Sequence, residues 1–358
     1  MIAELVVIVV ILATMGYIYL KGSIVKAFLF FINAIIASTI ALSFFETAGR
    51  LLIGYGYGGQ WIFAAIFLLI FALIFILLLA ISEKLAPDDL YLGDAPDHIG
   101  RSIIAIPVGL VIAGVILIAV NLSPLPEKWP YERFALDNKN VRPSAPDKSL
   151  LFNADGFVTG FASIMSKGSM AGKKSLAVFH PQLLNELALN RITSDESNPI
   201  ISGTDAISVK KAYLADSVLA ETIENRPSGT KLVVIQTEIR NSPVKDGGAL
   251  YVIETGTVTF TMAQVRLICK DSADNLAGSA EVAYPIGYLI NETTIDRKNI
   301  TEEIKLTGAD FPRGTKTLNF VFHIPNDTVP VMLQFKINAV SDVGRLHKTA
   351  EPETDESQ

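Results

Sequence analysis

Cysteine is almost absent from this sequence, which has one, Cys269, among 358 residues. A single cysteine excludes an intrachain disulfide bond and any metal site built from several thiolates. Because Cys269 alternates with Val265 and Leu267, we expect it on the apolar face of a strand. A buried, unreactive thiol is therefore favoured over a nucleophile.

Positive charge is scarce as well, and it is unevenly distributed. The net charge is −6 and the isoelectric point is near 5.4. This balance argues against nucleic acid as a partner, because phosphate binding depends on clustered cations. The first 120 residues contain only five cationic side chains, which are Lys21, Lys26, Arg50, Lys84 and Arg101. The rest of the chain has the charge density of an ordinary water-soluble protein.

Long apolar stretches dominate the N-terminal third. A helix needs about 20 apolar residues to cross a bilayer. Four stretches meet or nearly meet this length: Ile2–Leu20, Ala27–Phe45, Trp61–Ser82 and Ser102–Leu122. The first could be a secretory signal, but it lacks a cationic start and three more stretches follow it. We predict four transmembrane helices in residues 1–122, in contact with the lipid bilayer.

The short loops between the predicted spans differ in positive charge. Those after spans one and three contain Lys21, Lys26, Lys84 and Arg101, whereas the loop after span two contains Arg50 alone. Loops rich in Lys and Arg tend to stay in the cytoplasm. Both termini, and the long region after span four, are therefore predicted to lie outside it.

Ionisable residues are missing from the middle of every predicted span. Ion-coupled transporters usually place such residues there because their chemistry requires them. Their absence counts against a proton- or sodium-driven pump. Asn33 is the most polar residue at mid-depth; it could line a pathway, but a hydrogen bond between helices is the favoured interpretation.

Small residues form a stripe on the fourth span. Ala105, Gly109 and Ala113 recur every four residues, so they share one helix face and allow another helix to approach closely. The stripe predicts a helix-packing surface, either inside the bundle or between copies of the chain. The sequence therefore leaves open whether the chain forms a homo-oligomer.

Glycines and charged residues mark the first loop and the start of span four. Gly22 lies in the first loop, and Asp97-His98-Ile99-Gly100 precedes span four, which continues through Gly109 and Gly114. With a long uncharged third span, this arrangement resembles the CvpA (colicin V production) family over about residues 1–125. The family usually has Arg where this chain has His98. The resemblance implies a bacterial inner-membrane protein with a role in toxin export or envelope homeostasis.

The region that follows the spans changes in character twice. Residues 123–150 contain five prolines, so we predict an extended linker leaving the membrane. Residues 151–204 are predicted to be helical, because Phe157, Phe161 and Ile164 recur at helical spacing. For this helical segment, packing against the sheet that follows is favoured over a role at the membrane surface.

Beyond residue 205 the apolar period changes from helical to two. Val233, Ile235 and Ile239 share one face of a predicted strand, and the phase slips by one near Ala263, which predicts a bulge or bend. Residues 205–341 are therefore predicted to form an antiparallel β-sandwich. Residues 342–358 are charged and lack periodicity, which predicts a disordered tail.

Two segments of this sandwich carry a second resemblance. One is the strand ending Glu238-Ile239-Arg240-Asn241, and the other is Phe320-Val321-Phe322-His323-Ile324-Pro325. Their arrangement is similar to immunoglobulin-like domains of bacterial envelope proteins. The resemblance implies an accessory domain outside the cytoplasm.

No arrangement of catalytic residues emerges from the sequence. It has no Gly-x-Ser-x-Gly motif, and none of its histidines is suited to a triad: His98, His180, His323 and His347. Asp271, Asp274 and Asn275 could bind calcium, but a turn is favoured because no bidentate glutamate follows at the required offset. We predict no catalytic site, no metal site and no cofactor.

The leading hypothesis is a non-enzymatic, CvpA-like protein of the bacterial inner membrane. Its periplasmic β-sandwich would bind or sense a protein partner in the envelope. The alternative is an oligomeric transport or channel component. An envelope hydrolase is a disfavoured third.

Overall fold

The computed structural model of the protein describes residues 2–57, 59–85, 93–135, 141–172, 175–192, 200–215, 219, 223, 227–240, 258–274 and 277–348. These residues form two compact units. The first, the helical unit, contains the described parts of residues 2–135 and 142–191. The second, the β unit, contains Val141 and the described part of residues 192–348.

Four long helices confirm the predicted membrane-spanning region. They are α1 (Ile2–Lys21), α2 (Ile24–Gly54), α3 (Ile62–Leu85) and α4 (Asp94–Asn121). Each is long and apolar enough to cross a bilayer. With 31 residues, α2 is about 46 Å long at 1.5 Å per residue, which exceeds a hydrocarbon core of about 30 Å. Its last turns contain Glu46 and Arg50, which the sequence placed in a loop.

The start of α4 is fastened to the connection between α1 and α2. The Asp97 carboxylate accepts a hydrogen bond from the Ile24 backbone N–H at 2.9 Å, at the N-terminus of α2, where helix N–H groups lack internal partners. Arg101 donates to the Gly22 carbonyl and lies 3.7 Å from the Asp97 carboxylate. Its guanidinium also stands 5.1 Å from the centre of the Tyr19 ring. These contacts hold three helix ends together.

Three shorter helices follow the spans: α5 (Ala154–Lys167), α6 (Leu176–Phe179) and α7 (Leu183–Asn190). Helix α5 packs on α4 and α2, and α7 contacts α4. The sequence favoured packing of this segment against the sheet, whereas α5 to α7 belong to the helical unit. A Cβ atom at Gly114 of α4 would lie 2.3 Å from the Ala154 carbonyl oxygen, so the contact between α4 and α5 requires glycine.

The described residues just after α4 contact the helical unit, whereas the sequence predicts an extended linker. The buried Arg191 guanidinium donates to the Asn121 side chain at 2.6 Å and to the carbonyls of Leu125, Pro126 and Trp129. Burial lowers the pKa of Arg191 to about 10. One side chain therefore satisfies several carbonyls that an extended linker would leave to water.

The β unit contains twelve strands within its described residues. They are β1 (Ile207–Leu214), β2 (Thr230–Arg240), β3 (Val258–Thr261), β4 (Val265–Lys270), β5 (Glu281–Ala283), β6 (Pro285–Leu289), β7 (Ile295–Arg297), β8 (Glu303–Leu306), β9 (Thr315–Pro325), β10 (Val329–Phe335), β11 (Ala339–Asp342) and β12 (Leu346–His347). A six-stranded sheet has the order β12-β1-β2-β9-β6-β7, a four-stranded sheet the order β11-β10-β4-β5, and β3 pairs with β8. Only the β1–β12 pair is parallel among them.

The main core of the β unit lies between strands of different sheets. Val233 and Ile235 of β2 meet Phe320 of β9, Leu267 of β4 and Leu333 of β10 in one buried cluster. The predicted β-sandwich is confirmed by this packing. A 3₁₀ turn at Met262–Gln264 separates β3 from β4, where the sequence predicted a bend near Ala263.

The C-terminal end of the β unit differs from the expected disordered tail. Val343 is part of the main core and β12 pairs with β1, so order extends beyond residue 342. Residues 349–358 lie outside the described residues. The predicted boundaries at residues 122, 150, 204 and 341 stay predictions. The two compact units divide the chain at other positions.

Candidate functional site: a buried histidine and two carboxylates

The C-terminal turns of α2 carry the first part of a buried charged cluster. Glu46 and Arg50 are one turn apart, and the Arg50 Nη2 donates to the Glu46 Oε2 at 2.7 Å. The pair arises because α2 continues past the apolar span, where helical spacing brings residues i and i+4 together. The Arg50 guanidinium also lies 5.2 Å from the centre of the Phe179 ring.

His180 joins this pair to the short helices. It follows α6 and precedes Pro181, so its side chain is set by the connection between α6 and α7. Its Nε2 lies 2.6 Å from the Glu46 Oε1, and its Nδ1 lies 2.6 Å from the Glu186 Oε2. Glu186 also accepts a hydrogen bond from the Gln182 backbone N–H at 3.1 Å. The cluster of Glu46, Arg50, His180 and Glu186 is called the His180 network below.

The contacts of the His180 network need one proton at each ring nitrogen. Either the ring nitrogen donates this proton to a carboxylate, or a protonated carboxyl group donates it to the ring nitrogen. In both forms the two ring nitrogens are occupied by carboxyl groups. The side chains of His180 and Glu46 are 5% and 11% exposed, so these contacts are poorly screened by water.

The network does not have the geometry of a metal site. The two carboxylates bind opposite nitrogens of the same ring, so they cannot converge with that ring on one ion. Within the described part of the chain, no group of three or more His, Cys, Asp or Glu side chains could hold a metal ion.

Two cavities meet at His180. One, of about 280 Å³, lies beside Glu46, Arg50, Ser166 and Met170. The other, of about 380 Å³, lies beside Arg133, Thr159 and Ser163. His180 and Leu176 line both cavities. Each volume is large enough for several water molecules.

A second polar cluster lies at the start of α5. The Tyr131 hydroxyl donates to the Asp155 carboxylate at 2.6 Å, and the Arg133 Nε donates to the Asn185 side chain at 3.0 Å. Asp155 is in the first turn of α5, where the helix dipole favours negative charge. Burial, followed by the charge of Asp155, raises the pKa of Tyr131 well above its usual range. These contacts tie the linker to α5 and α7.

The residues singled out from the sequence lie elsewhere. Asn33 donates to the Ser82 hydroxyl at 2.8 Å, joining α2 to α3; along α2 it is about 20 Å from Glu46. Ala105 and Ala113 are fully buried. A Cβ atom at Gly109 would lie 2.7 Å from the Ile11 Cα, so this part of α4 is in close contact with α1. The structure does not bring Asn33 and this stripe into the His180 network.

Sequence reasoning missed the His180 network. Glu46 and Arg50 at the end of an apolar run give a local signal for an ion pair. A signal for the complete network does not exist in the linear sequence, because 134 positions separate Glu46 from His180.

Cys269 is fully buried in the main core of the β unit. Burial raises the pKa of its thiol to about 12, so the reactive thiolate is rare near neutral pH.

Comparison with known proteins identifies no relative. No family model, no curated protein and no solved structure matches this chain. The two resemblances drawn from Asp97-His98-Ile99-Gly100 and from the strand sequences therefore stay predictions. The function has to be argued from the geometry of the two units.

Proposed function

We propose that this protein is a non-enzymatic protein of the bacterial inner membrane, CvpA-like in its spans, that displays its β unit outside the cytoplasm to bind or sense an envelope partner. The observation that carries the proposal is the way in which the helical unit uses its buried charges. Glu46, Arg50, His180 and Glu186 bind one another, which is how a protein fastens one of its parts to another.

The membrane bundle fits an anchor in this proposal. The charged cluster with Asp97 and Arg101 joins helix ends to one another, and the His180 network joins α2 to the short helices. The polar contact of Asn33 is a single hydrogen bond between helices. These are the contacts of a rigid support.

In this proposal the β unit is the part of the protein that binds the partner. It has a continuous core of its own and a smaller buried cluster on the other side of the six-stranded sheet, around Leu232, Val234 and Val321. Folded sheets of this kind present loops and edges to partners while the core holds them in place. The distribution of Lys and Arg in the loops supports its placement outside the cytoplasm.

The test compares the full chain with a chain that ends at Arg191, in a strain that lacks the protein. We expect the shortened chain to reach the membrane at the level of the full chain but to leave the phenotype of the strain uncorrected. Immunoblots of membrane fractions supply the protein level. Full correction by the shortened chain would place the function in the helical unit and contradict the proposal.

A transport or channel component is the second candidate, because two cavities meet at His180. A histidine held between two carboxyl groups can exchange protons with either side, and adjoining cavities would give water access. The polar group available at mid-depth for such a pathway is Asn33. Replacing Asn33 with Leu therefore separates the two candidates.

For an anchor, Asn33→Leu should be tolerated, because an interhelical hydrogen bond contributes only about 0.6 kcal/mol on average in a membrane. The variant is expected to correct the phenotype fully. Gly109→Leu is the matched control on α4: its side chain would meet the Ile11 backbone, so the protein level should fall. Loss of correction by Asn33→Leu at normal abundance would favour transport.

A further inference from the structure

Helix α5 is amphipathic, but its large apolar side chains face away from the protein, unlike those of a helix at a water-exposed surface. The face that contacts the protein includes Ala154, Val158 and Ala162, together with the polar Asp155 and Ser166. Large apolar residues on α5 and just before it are exposed. We call this group the outer face of α5: Leu151, Phe152, Phe161, Ile164 and Met165.

Charge is confined to the two ends of α5, at Asp155 and Lys167. The sequence from Gly156 to Ser166 contains no Asp, Glu, Lys, Arg or His. A helix facing water normally carries charged and polar residues on its outer side, and contiguous exposed apolar patches mark an interaction site or a membrane contact. The outer face of α5 therefore needs an apolar environment.

The position of α5 on the bundle indicates what supplies that environment. Its first turn touches Gly114, which lies seven residues before the end of α4 at Asn121. At 1.5 Å per residue this is about 10 Å inside the end of a membrane-spanning helix. Helix α5 thus starts beside a membrane-spanning helix and not beyond its end.

Helix α5 also packs directly on two of the membrane-spanning helices, α2 and α4. On α2, the large apolar side chain of Phe44 is exposed.

From this position and polarity, we propose that the outer face of α5 is immersed in one leaflet of the bilayer, in contact with lipid acyl chains. The helix would lie beside the spans as a partly inserted segment. The polar groups of Asp155, Ser166 and the His180 network would face the protein. The occupant is the lipid itself, and a second copy or a protein partner on this surface would be a different result.

The test measures the depth of a spin label by its collisions with oxygen, which dissolves in lipid, and with a water-soluble nickel chelate. The protein is the full chain with Cys269→Ala, purified and reconstituted in phosphatidylethanolamine–phosphatidylglycerol vesicles at a low protein-to-lipid ratio. Single labels are placed at Ile164→Cys, at Ile290→Cys in the β unit, and at Leu73→Cys on α3. Ile164 and Ile290 are a matched pair, with 69% and 67% of their surface exposed.

A label at Ile164 is expected to collide more often with oxygen than with the nickel chelate, as at Leu73. The label at Ile290 should show the reverse. Equal behaviour of the Ile164 and Ile290 labels would place α5 in water and overturn the proposal. Low accessibility of Ile164 to both reagents would show that protein covers the outer face, which would also overturn it.

Discussion

Replacing His180 with Leu is expected to lower the stability of the helical unit by about 3–5 kcal/mol, because it removes the hydrogen-bond partner that two buried carboxyl groups share. In this variant Glu46 still contacts Arg50. The larger part of the lost stability therefore comes from Glu186, which is 6% exposed. The measurement is the denaturant concentration at which half of the protein becomes sensitive to protease within α5 to α7, in mild detergent.

Two further variants show whether the effect comes from the lost contact with His180. Lys148→Met breaks an ion pair with Glu132 in which the lysine side chain is 58% exposed, and it should cost less than about 1 kcal/mol. The double variant His180→Leu, Glu186→Met also removes the carboxyl group that has lost its contact with His180, and it should recover part of the loss. Equal effects of His180→Leu and Lys148→Met would refute the role given to the network.

The stability of the β unit is expected to rise with pH above neutrality because of Lys336. This side chain is buried in the β unit, and its amino group donates to the Thr259 carbonyl at 3.2 Å. Burial lowers its pKa from 10.5 to about 7. Between these two values the unfolded chain binds more protons than the folded chain, so the free energy of unfolding increases with pH. As the pH falls to about 7 this contribution is lost.

The expected slope is about 1.4 kcal/mol per pH unit between pH 7.5 and 9. Lys336→Met should remove the slope and raise the stability at pH 7, since no charge then has to be buried. Pulse proteolysis of the full chain in detergent, read on peptides of the β unit, supplies the free energy. Lys305→Met, at a lysine that is 58% exposed, is the control that should keep the slope. A Lys336→Met protein with the slope of the parent would show that another group is responsible.

The sequence was sufficient for the membrane spans and the sheet, because both follow from local periodicity. Runs of apolar residues predict the spans, and the alternation around Val233 and Ile235 predicts a strand. The bend near Ala263 was also readable, since a change of phase is a local signal. The prediction of the fold class depended on these signals alone.

The packing partners of the polar residues could not be predicted from local periodicity. Gln334, Lys336 and Asn338 alternate with apolar residues, a pattern typical of a half-buried strand, yet all three are buried. Gln334 donates to the Ile337 carbonyl at 2.7 Å, and Asn338 donates to the Ser202 carbonyl. Alternation indicates which side chains share a face, but it does not show whether another segment covers that face.

The helical segment after the linker shows the same limit. The spacing of Phe157, Phe161 and Ile164 predicts an amphipathic helix without naming what its two faces meet. Its packing on α4 depends on Gly114, which is 40 positions from Ala154. Of these three residues, the structure leaves Phe161 and Ile164 exposed, and Phe157 is half-buried.

The central claim is that α5 to α7 belong to the membrane unit and are held there by the His180 network and Arg191. Hydrogen–deuterium exchange of the full chain and of the chain ending at Arg191, both in the same detergent, tests this claim directly. The account predicts equal protection of backbone amides in α5 and α7 in the two proteins. Loss of that protection in the shortened chain, with α1 to α4 still protected, would show that these helices depend on the β unit and would contradict the account.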